Sequence, residues 1–454
     1  MEHQRYYWWK DAKIYELYID KFAGDFQGLT SRLDYMTALG INCLHMLPFY
    51  PSPMVDDGYD VMDYRSVRPE LGTLGDFTEC LAEAHHRGIR VIIDLVLNHV
   101  SSKHPWFIEA RASRDNSKRD FFLWDKEGRR FQDSINAFPD FKPSNWIRND
   151  ATGDYYYATF YPEQPDLNWD NPKVMEEMLA IMDFWIARGV DGFRLDAAKH
   201  LIKRDSTRSE GLPETHQVLK TIRKHLDLTH PDVILLAEAH QLPAITKTYF
   251  GSGDECHMAY HFPLAEQFWL ALKRHDLHLV DAMVEESFDI PYNSQWATFL
   301  RSHDEISLAT LPLPERSELN DFFDPDHCYL FRNFKLDELA SVRIATIYQN
   351  APERIAEAFA LLYKTPGAPI MYYGDEIGMK NLPLEAGIVD TRKYVRGAFD
   401  WEEATKQVAN PDSLWSDVAS LIKTRTAESL PAVTKEPAWQ SAETGVVSTE
   451  MNMN

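Results

Sequence analysis

VDGFRLDAAKH, residues 190–200, predicts a short buried strand that ends in polar residues. Arg194 and Asp196 are two residues apart, and the two-residue period of a strand points both side chains to the same face. A guanidinium beside a carboxylate favours the ionised carboxylate and fixes its direction, as a nucleophilic aspartate requires. A structural Arg–Asp pair at a strand end explains this segment equally well, so the choice depends on the other strands.

Strand-like and helix-like segments alternate on both sides of this stretch. Helices are expected at Leu29–Leu39 and Leu74–Arg87, each followed by a glycine. Apolar strands with helices between them predict an α/β fold in which a parallel sheet closes into a (β/α)8 TIM barrel. A doubly wound open sheet is the alternative, although no Gly-rich dinucleotide fingerprint follows the first strand. The predicted strands are Ile14–Ile19, Ile41–Leu47, Arg90–Leu97, Val190–Leu195, Val233–Ala237, Met258–Phe262, Trp296–Arg301 and Pro369–Tyr373.

The alternation is interrupted after the third strand. Residues 101–168 are polar, aromatic and rich in Pro and Asn, and they are too many for an ordinary loop between a strand and a helix. We therefore predict a barrel over residues 1–100 and 169–430, an inserted subdomain B over residues 101–168, and a C-terminal tail over residues 431–454.

Bulk composition narrows the function classes. The 454 residues include 70 acidic and 47 basic ones, a net charge of −23 that repels nucleic acid and anionic membranes. No apolar run approaches the roughly 18 residues of a membrane span, and the N-terminal segment has no apolar signal-peptide core. The four cysteines lack metal or disulfide spacing, which favours the reduced cytoplasm. The sequence does not indicate an oligomeric state.

Charged residues end several of the predicted strands. Because strand ends of a barrel meet at one rim, Asp196, Glu238 and Asp304 are expected to converge on one pocket. Like charges at close range raise at least one pKa, which places a proton donor beside an ionised nucleophile. Cleavage of a glycosidic bond needs one protonated carboxyl and one ionised carboxylate. In a retaining enzyme the two groups lie about 5–5.5 Å apart. A metal site built from the same carboxylates is the alternative, without a His/Asp cluster of metal spacing to support it.

Four segments resemble the four signature regions of the α-amylase superfamily, glycoside hydrolase family 13. They occur in the family's order and on the expected strands, and the resemblance extends from Trp8 to about Arg425. It implies a retaining (β/α)8 enzyme that acts on α-glucosidic bonds. The segments are DLVLNH (94–99), GFRLDAAKH (192–200), LLAEAH (235–240) and FLRSHDE (299–305).

The resemblance also implies roles for single residues. Asp196 would be the nucleophile, Glu238 the general acid/base, and Asp304 the residue that stabilises the distorted sugar. Arg194 would orient Asp196. Two histidines would hydrogen-bond hydroxyls of the glucose at the cleavage point, His99 and His303.

A loop after the second strand, VDDGYD (55–60), resembles one in the α-glucosidase and trehalose synthase branch of the family. There it supplies an aspartate and a stacking tyrosine, which correspond to Asp56 and Tyr59. The aspartate's partner is an arginine in an R-x-P-x-x-W motif, which RGAFDW (396–401) fits except for its proline. We expect an Asp56–Arg396 pair to close the pocket behind one glucose and favour short substrates, with Arg392 as a competitor and a surface salt bridge as the alternative.

Three further segments resemble trehalose synthases in particular: QPDLN (164–168), LPETH (212–216) and DECHMAYHFPL (254–264). They imply conversion of maltose to trehalose by intramolecular glucosyl transfer through a covalent glucosyl–aspartate intermediate. A hydrolytic α-glucosidase or a maltooligosaccharide-cleaving amylase is the alternative. A non-catalytic, transporter-associated homologue is a remote alternative, since the chain keeps the full set of catalytic residues.

The same comparison implies a structural calcium ion that ties the insert to the barrel, and no organic cofactor. Hard oxygen ligands suit calcium. A capped loop and a turn explain the side-chain ligands equally well. The expected ligands are side chains of Asn98 and Asp166 and backbone oxygens of His200, Leu201 and Lys203. Two departures from the family are a short loop at 22–28, without a second calcium site, and too few residues after Trp401 for a complete C-terminal β-domain.

Overall fold

Eight parallel strands form a closed barrel in the computed structural model, which describes residues 7–333 and 337–425. Around the barrel the strand order is β1, β2, β3, β7, β8, β9, β10 and β13, and β13 pairs with β1. The predicted (β/α)8 barrel is therefore confirmed, and the open sheet is wrong. The strands are β1 (Ile14–Leu17), β2 (Cys43–Met46), β3 (Arg90–Val96), β4 (Trp124–Asp125), β5 (Trp146–Asn149), β6 (Asp154–Tyr157), β7 (Gly192–Asp196), β8 (Ile234–Ala237), β9 (Met258–Tyr260), β10 (Gln295–Phe299), β11 (Leu330–Asn333), β12 (Asp337–Ala340) and β13 (Ala368–Tyr372).

Helices pack around the barrel and lie in the segments that connect its strands. The segment predicted as one helix, Leu29–Leu39, is two helices that meet at Arg32, whose backbone (φ −107°, ψ 1°) departs from helical geometry. The α-helices are α1 (Ile19–Phe22), α2 (Phe26–Ser31), α3 (Leu33–Leu39), α4 (Leu74–His86), α5 (Pro105–Ala112), α6 (Pro172–Ile186), α7 (Pro213–Thr229), α8 (Pro243–Thr246), α9 (Phe262–Arg274), α10 (His278–Ser287), α11 (Leu313–Phe323), α12 (Ile344–Ile347), α13 (Pro352–Lys364), α14 (Trp401–Val408) and α15 (Leu414–Thr424). Within the described residues, no helix is both long and apolar enough to span a membrane.

The predicted strands extend two residues too far at the carboxyl ends of β1, β9 and β10. Ile19 and Phe262 are apolar, but each is the first residue of a helix, α1 and α9, rather than the last residue of a strand. Both side chains pack against the hydrophobic core from the helix. Hydrophobicity alone therefore cannot mark where these strands end.

The strand register places the predicted site residues side by side. Asp94 on β3 is opposite Arg194 on β7, and Val96 is opposite Asp196. Leu195 is opposite Ala237, so Glu238 follows immediately beyond the end of β8. The carboxyl ends of three neighbouring strands thus deliver their polar side chains to the same rim of the barrel.

The segment between β3 and β7 has secondary structure of its own. It contains α5 and a three-stranded antiparallel sheet in the order β4, β6, β5. Isolated bridges join His99 to Asp166 and Phe122 to Leu167 where this segment meets the barrel. We propose that residues 101–168 form one subdomain, because its helix and sheet lie wholly within that range. The predicted tail, 431–454, lies outside the described residues.

A buried carboxylate lies just beyond the last barrel strand. The Oε1 atom of Glu376 accepts hydrogen bonds from the hydroxyls of Tyr15 and Tyr35, each at 2.7 Å. Its Oε2 atom is buried and has no hydrogen-bond partner among the described residues. Burial raises the pKa of Glu376 to about 7, although both tyrosine hydroxyls lower it. The folded protein therefore holds this proton more tightly than an unfolded chain, where the pKa returns to the ordinary glutamate value.

Replacing Glu376 with glutamine should remove one source of pH dependence in stability. Because the folded pKa is the higher one, the free energy of unfolding falls as pH rises from the ordinary glutamate pKa towards 7, by about 3 kcal/mol. The glutamine variant keeps an oxygen for both tyrosines and has no proton to lose. Urea unfolding between about pH 5 and pH 8 should therefore show the natural protein losing stability relative to Glu376→Gln. Glu402→Gln, at a side chain that is 82% exposed, is the control; parallel curves for Glu376→Gln and the natural protein would contradict the expectation.

Candidate active site

A cavity of about 620 Å³ opens at the carboxyl ends of the barrel strands. Pockets of this size are typical of small-molecule sites. Of the residues predicted to act in catalysis or substrate binding, all but Arg396 line it: Asp56, Tyr59, His99, Arg194, Asp196, Glu238, His303 and Asp304. The structure therefore brings the three predicted carboxylates to one cavity.

Arg194 links the acidic groups at the base of this cavity. Its Nη1 donates to Asp94 Oδ1 at 2.7 Å and to Asp196 Oδ1 at 2.5 Å. Its Nη2 lies 3.0 Å from Glu238 Oε2, which also accepts a hydrogen bond from the backbone N–H of Ala197 at 2.8 Å. One buried guanidinium thus orients two of the three carboxylates, while Asp94 supports it from the adjoining strand.

Burial and Arg194 act in opposite directions on the charge of Asp196. Burial raises the pKa of Asp196 well above its usual range; Arg194 opposes this, and the nearby Glu238 carboxylate adds to it. Arg194 thus favours the ionised form of Asp196, the form that a nucleophile requires, against the effect of burial.

His303 lies between two carboxylates. Its Nδ1 is 3.0 Å from Glu16 Oε1, and its Nε2 is 2.8 Å from the Tyr59 hydroxyl and 3.2 Å from Asp304 Oδ2. Because an ionised carboxylate can only accept, the Nδ1 atom that faces Glu16 carries a proton. Burial lowers the pKa of His303, but Asp304 and Glu16 raise it to about 10. Burial in turn raises the pKa of Asp304, but the His303 cation and two arginines hold it well below its usual range.

His99 differs from His303 in charge. Burial lowers the pKa of His99 to about 4, so its ring is neutral at neutral pH. Its Nε2 is buried and has no hydrogen-bond partner among the described residues. Buried polar atoms are rarely left unpaired, and this one belongs to a residue that lines the cavity. A ligand hydroxyl could supply the missing partner.

Asp56 lines the cavity, but it does not pair with the expected arginine. Arg392 Nη2 donates to Asp56 Oδ1 at 3.0 Å and to Asp390 Oδ2 at 2.6 Å. Gln164 donates to the other oxygen of Asp56 at 3.0 Å. The predicted Asp56–Arg396 pair is therefore wrong, and the competitor named from the sequence, Arg392, takes its place.

Arg396 is four residues further along the chain and pairs with two other carboxylates. Its Nη1 donates to Asp57, the neighbour of Asp56, and its Nη2 donates to Asp304 Oδ1 at 2.7 Å. It does not line the cavity, unlike Arg392. Arg396 thus acts on the predicted site through Asp304 and not as a wall of the pocket.

Sequence reasoning missed other members of the site. The guanidinium of Arg392 lies 5.0 Å from the ring of Phe138 and 4.9 Å from the ring of Phe331, and these two rings also contact each other. Glu305 also lines the cavity, and burial raises its pKa to about 7, with a further rise from Asp304. Only the position of Glu305 beside Asp304 could have marked it in advance; the two phenylalanines carry no local signal.

The residues expected to bind calcium surround a lysine. Lys203 Nζ donates to Asn98 Oδ1 and to the backbone oxygen of His200, each at 2.6 Å, and lies 2.5 Å from Asp166 Oδ2. An ammonium group therefore occupies the centre of the expected ligand set, and calcium needs six to eight oxygens around that position. The described residues also contain no cluster of three or more His, Cys, Asp or Glu side chains arranged for a metal. The donor set, including Leu201 beside it, does not fit calcium.

Replacing Lys203 with methionine should destabilise the protein strongly. Lys203 and Asp166 are both buried, and removing one partner of a buried ion pair costs about 3–5 kcal/mol because the other charge is left uncompensated. Thermal unfolding should show a large fall in Tm for Lys203→Met, and a chelator should leave the Tm of the natural protein unchanged. A matched exposed site, Lys406→Met, should have little effect. A chelator-induced fall in Tm that calcium reverses would contradict this reading.

Comparisons with known proteins agree on one family. The family model of the α-amylase catalytic domain matches residues 9–320 of this chain. The trehalose synthase/amylase of Mycolicibacterium smegmatis is 42% identical over 405 residues, which are 87% of this chain and 67% of that protein. The trehalose synthase of Thermus thermophilus is 42% identical over 404 residues, 87% of this chain and 41% of that protein. An oligo-1,6-glucosidase of Halalkalibacterium halodurans is 30% identical over 416 residues, 84% of this chain and 67% of that protein.

Solved structures share the fold. The trehalulose synthase MutB of Pseudomonas mesoacidophila superposes with a TM-score of 0.71 at 27% identity, covering 92% of this chain and 84% of that one. A MutB variant in complex with its substrate sucrose gives a TM-score of 0.72 at 26% identity, covering 93% and 84%. The fold thus matches that of MutB, whose substrate in the second structure is the disaccharide sucrose.

Proposed function

Since the chain belongs to the α-amylase family, whose members of this kind are retaining glycosidases and transglucosidases, we propose that it converts maltose to trehalose by intramolecular glucosyl transfer. The observation that carries the proposal is the pairing of Asp196 and Glu238 with Arg194 in a cavity that the Asp56–Arg392 ion pair also lines. We infer that this ion pair closes the pocket behind one sugar, so that the pocket admits the terminal glucose of a short α-glucoside. The relatives named trehalose synthase, about 40% identical over most of the chain, favour maltose and trehalose as its substrates.

The first half of the reaction forms a covalent intermediate. The Asp196 carboxylate attacks C1 of the non-reducing glucose of maltose. The bond from C1 to the bridging oxygen breaks, and Glu238 gives its proton to that oxygen. The products are a glucosyl ester on Asp196 and a free glucose. Arg194 holds both carboxylates in place through this step.

The second half returns the glucosyl group. The anomeric hydroxyl of the freed glucose attacks C1, Glu238 takes the proton from it, and the Asp196 carboxylate leaves. The product is trehalose, and attack by O4 instead regenerates maltose. Attack by water would release a second glucose, so the balance depends on how long the freed sugar stays and how well water is excluded.

The walls of the subsite for the non-reducing glucose suit a single pyranose. His99 offers an unpartnered Nε2, and the cationic ring of His303 with Asp304 faces the same cavity. The ring of Tyr59 lies nearly parallel to that of His303, with centroids 5.5 Å apart and 13° between the planes. We expect hydroxyls of the non-reducing glucose to contact these groups as the sugar ring distorts towards the transition state.

Incubating the protein with maltose tests the proposal. Trehalose should accumulate with glucose as a minor product, and labelled free glucose added to the mixture should not enter the trehalose, because transfer is intramolecular. Chromatography of the products measures both results. Glucose as the only product would overturn the isomerase assignment in favour of a hydrolytic α-glucosidase or amylase.

We also propose that the protein works in the cytoplasm. All four cysteines are unpaired, three of them buried and one, Cys328, exposed. Free thiols are typical of a reducing compartment. Fractionation of cells that make the natural protein, followed by detection with an antibody, would test the assignment; recovery outside the cytoplasmic fraction would overturn it.

A further inference from the structure

A row of buried charged side chains links three neighbouring barrel strands. Glu16 on β1 is opposite His45 on β2 in the strand register. His45 Nδ1 lies 3.2 Å from Glu16 Oε2, and His45 Nε2 lies 2.8 Å from Oδ2 of Asp94 on β3. All three side chains are fully buried. None of the three lines the cavity, so the row is not placed to touch a substrate.

The two-residue period of the strands places this row inside the barrel. Two residues earlier on the same strands, Ile14, Cys43 and Ile92 belong to one apolar cluster. Side chains two residues apart point to the same face of a strand, so the charged row forms the next layer of the barrel interior towards the carboxyl ends of the strands. Charged groups in such a layer are stable only when they pair with one another.

His45 carries a proton on each ring nitrogen. Each nitrogen faces a carboxylate oxygen, and an ionised carboxylate can only accept a hydrogen bond. Burial lowers the pKa of His45, but Asp94 and Glu16 raise it above its usual value. Burial raises the pKa of both carboxyls, but the cations beside them hold it below the usual value in each. Tyr260 on β9 also faces the imidazole ring, with its hydroxyl 3.5 Å from Nδ1.

The row reaches residues of the candidate active site at both ends. Oδ1 of Asp94 accepts a hydrogen bond at 2.7 Å from Nη1 of Arg194, the guanidinium that also holds Asp196. Oε1 of Glu16 accepts a hydrogen bond from the backbone N–H of His303 at 2.9 Å and lies 3.0 Å from its Nδ1. The imidazolium between the two carboxylates thus joins the support of the proposed nucleophile to the support of His303.

We propose that His45 is a positioning residue for Asp196, acting through Asp94 and Arg194, and that its positive charge favours the ionised carboxylate of Asp196. The proposal rests on the covalent mechanism proposed above, and it holds for hydrolysis and for transfer alike. The charged groups that act directly on Asp196 are Arg194, Glu238 and Asp94. Without the buried cation, the carboxylates of the row would add uncompensated negative charge, and the pKa of Asp196 would rise.

The pH dependence of fluoride release from α-glucosyl fluoride tests this role. Fluoride leaves without a proton from Glu238, so the acidic limb of kcat/KM reports the ionisation of Asp196 in the free enzyme. For His45→Gln this limb should move to higher pH by about one unit. For Glu16→Gln it should move to lower pH, because the change removes a negative charge and keeps an oxygen for His303. A merely structural role would lower both rates without moving the limb in opposite directions.

A second histidine–carboxylate pair supplies the matched control, His85→Gln. His85 Nε2 lies 2.7 Å from Asp191 Oδ2. Asp191 directly precedes β7, at the end of the barrel opposite the cavity. His85→Gln should therefore leave both the rate and the acidic limb unchanged. The Tm of each variant, measured across the pH range, shows that the limb is recorded on folded protein.

An acidic limb that stays in place or moves to lower pH in folded His45→Gln would overturn the proposal. If His45→Gln does not fold, Glu16→Gln decides: a limb at lower pH supports the proposal, and an unmoved limb overturns it. Absence of fluoride release from the natural protein would overturn the covalent mechanism, and this proposal with it. A natural protein that makes only glucose from maltose would overturn the isomerase assignment alone, because the limb would still report Asp196; the two failures are therefore distinguishable.

Discussion

Asp196→Ala should lower kcat on maltose by about 10⁴-fold or more, because no other group can form the covalent intermediate. The carboxylate of Asp196 is held by Arg194 at 2.5 Å, and an alanine leaves the guanidinium paired with Asp94 and Glu238. The cavity should therefore keep its shape while losing its nucleophile. Chromatographic measurement of glucose and trehalose formed from maltose gives the rate.

The control for this substitution is Asp34→Ala, at a side chain that is 85% exposed and pairs with Arg87. It should leave kcat unchanged. Circular dichroism and Tm should show that Asp196→Ala folds like the natural protein. If Asp196→Ala kept a tenth or more of the activity, Asp196 would not be the nucleophile and the mechanism would fail.

Glu238→Gln should lower kcat on maltose by about 10²–10⁴-fold, the usual contribution of a general acid. The amide keeps an oxygen for Ala197 N–H and Arg194, so the geometry should persist. With α-glucosyl fluoride the first step needs no acid and should proceed. The second step needs Glu238 as base, so the glucosyl ester on Asp196 should accumulate.

Mass spectrometry of Glu238→Gln after brief exposure to α-glucosyl fluoride should show an added glucosyl group, which peptide mapping should place on Asp196. Asp196→Ala under the same conditions is the control and should gain nothing. A Glu238→Gln variant that is as slow on the fluoride as on maltose, with no adduct, would show that Glu238 does not act as the proton donor. The residue that carries the adduct would identify any other nucleophile.

The barrel could be predicted because each of its strands is an apolar run bounded by turns and glycines. Strands buried on both faces read as continuous hydrophobic segments, and the helices between them supply the crossover connections of a parallel sheet. Strand ends were less certain for a physical reason. Residues such as Ile19 and Phe262 are buried whether they end a strand or begin a helix, so their hydrophobicity cannot distinguish the two.

The partner of Asp56 could not be decided from the chain alone. Arg392 and Arg396 are four residues apart along the chain. Residues Thr391–Val395 form a 3₁₀ helix in the segment between β13 and α14. The two guanidiniums therefore lie close together, and adjoining carboxylates, Asp56 and Asp57, compete for them. In the folded protein Arg392 pairs with Asp56 and lies against two rings from distant segments, Phe138 and Phe331.

The alternation of strands and helices, and the acidic residues at the ends of strands, follow from the amino-acid sequence because both are properties of short segments. The pairing of charges follows from the folded arrangement: Arg392 with Asp56, Lys203 with Asp166, and Glu266 with His240. The partners in these pairs are 26 to 336 residues apart. Coulomb attraction and hydrogen bonding act over a few ångströms in space, so their outcome depends on the folded arrangement and not on distance along the chain.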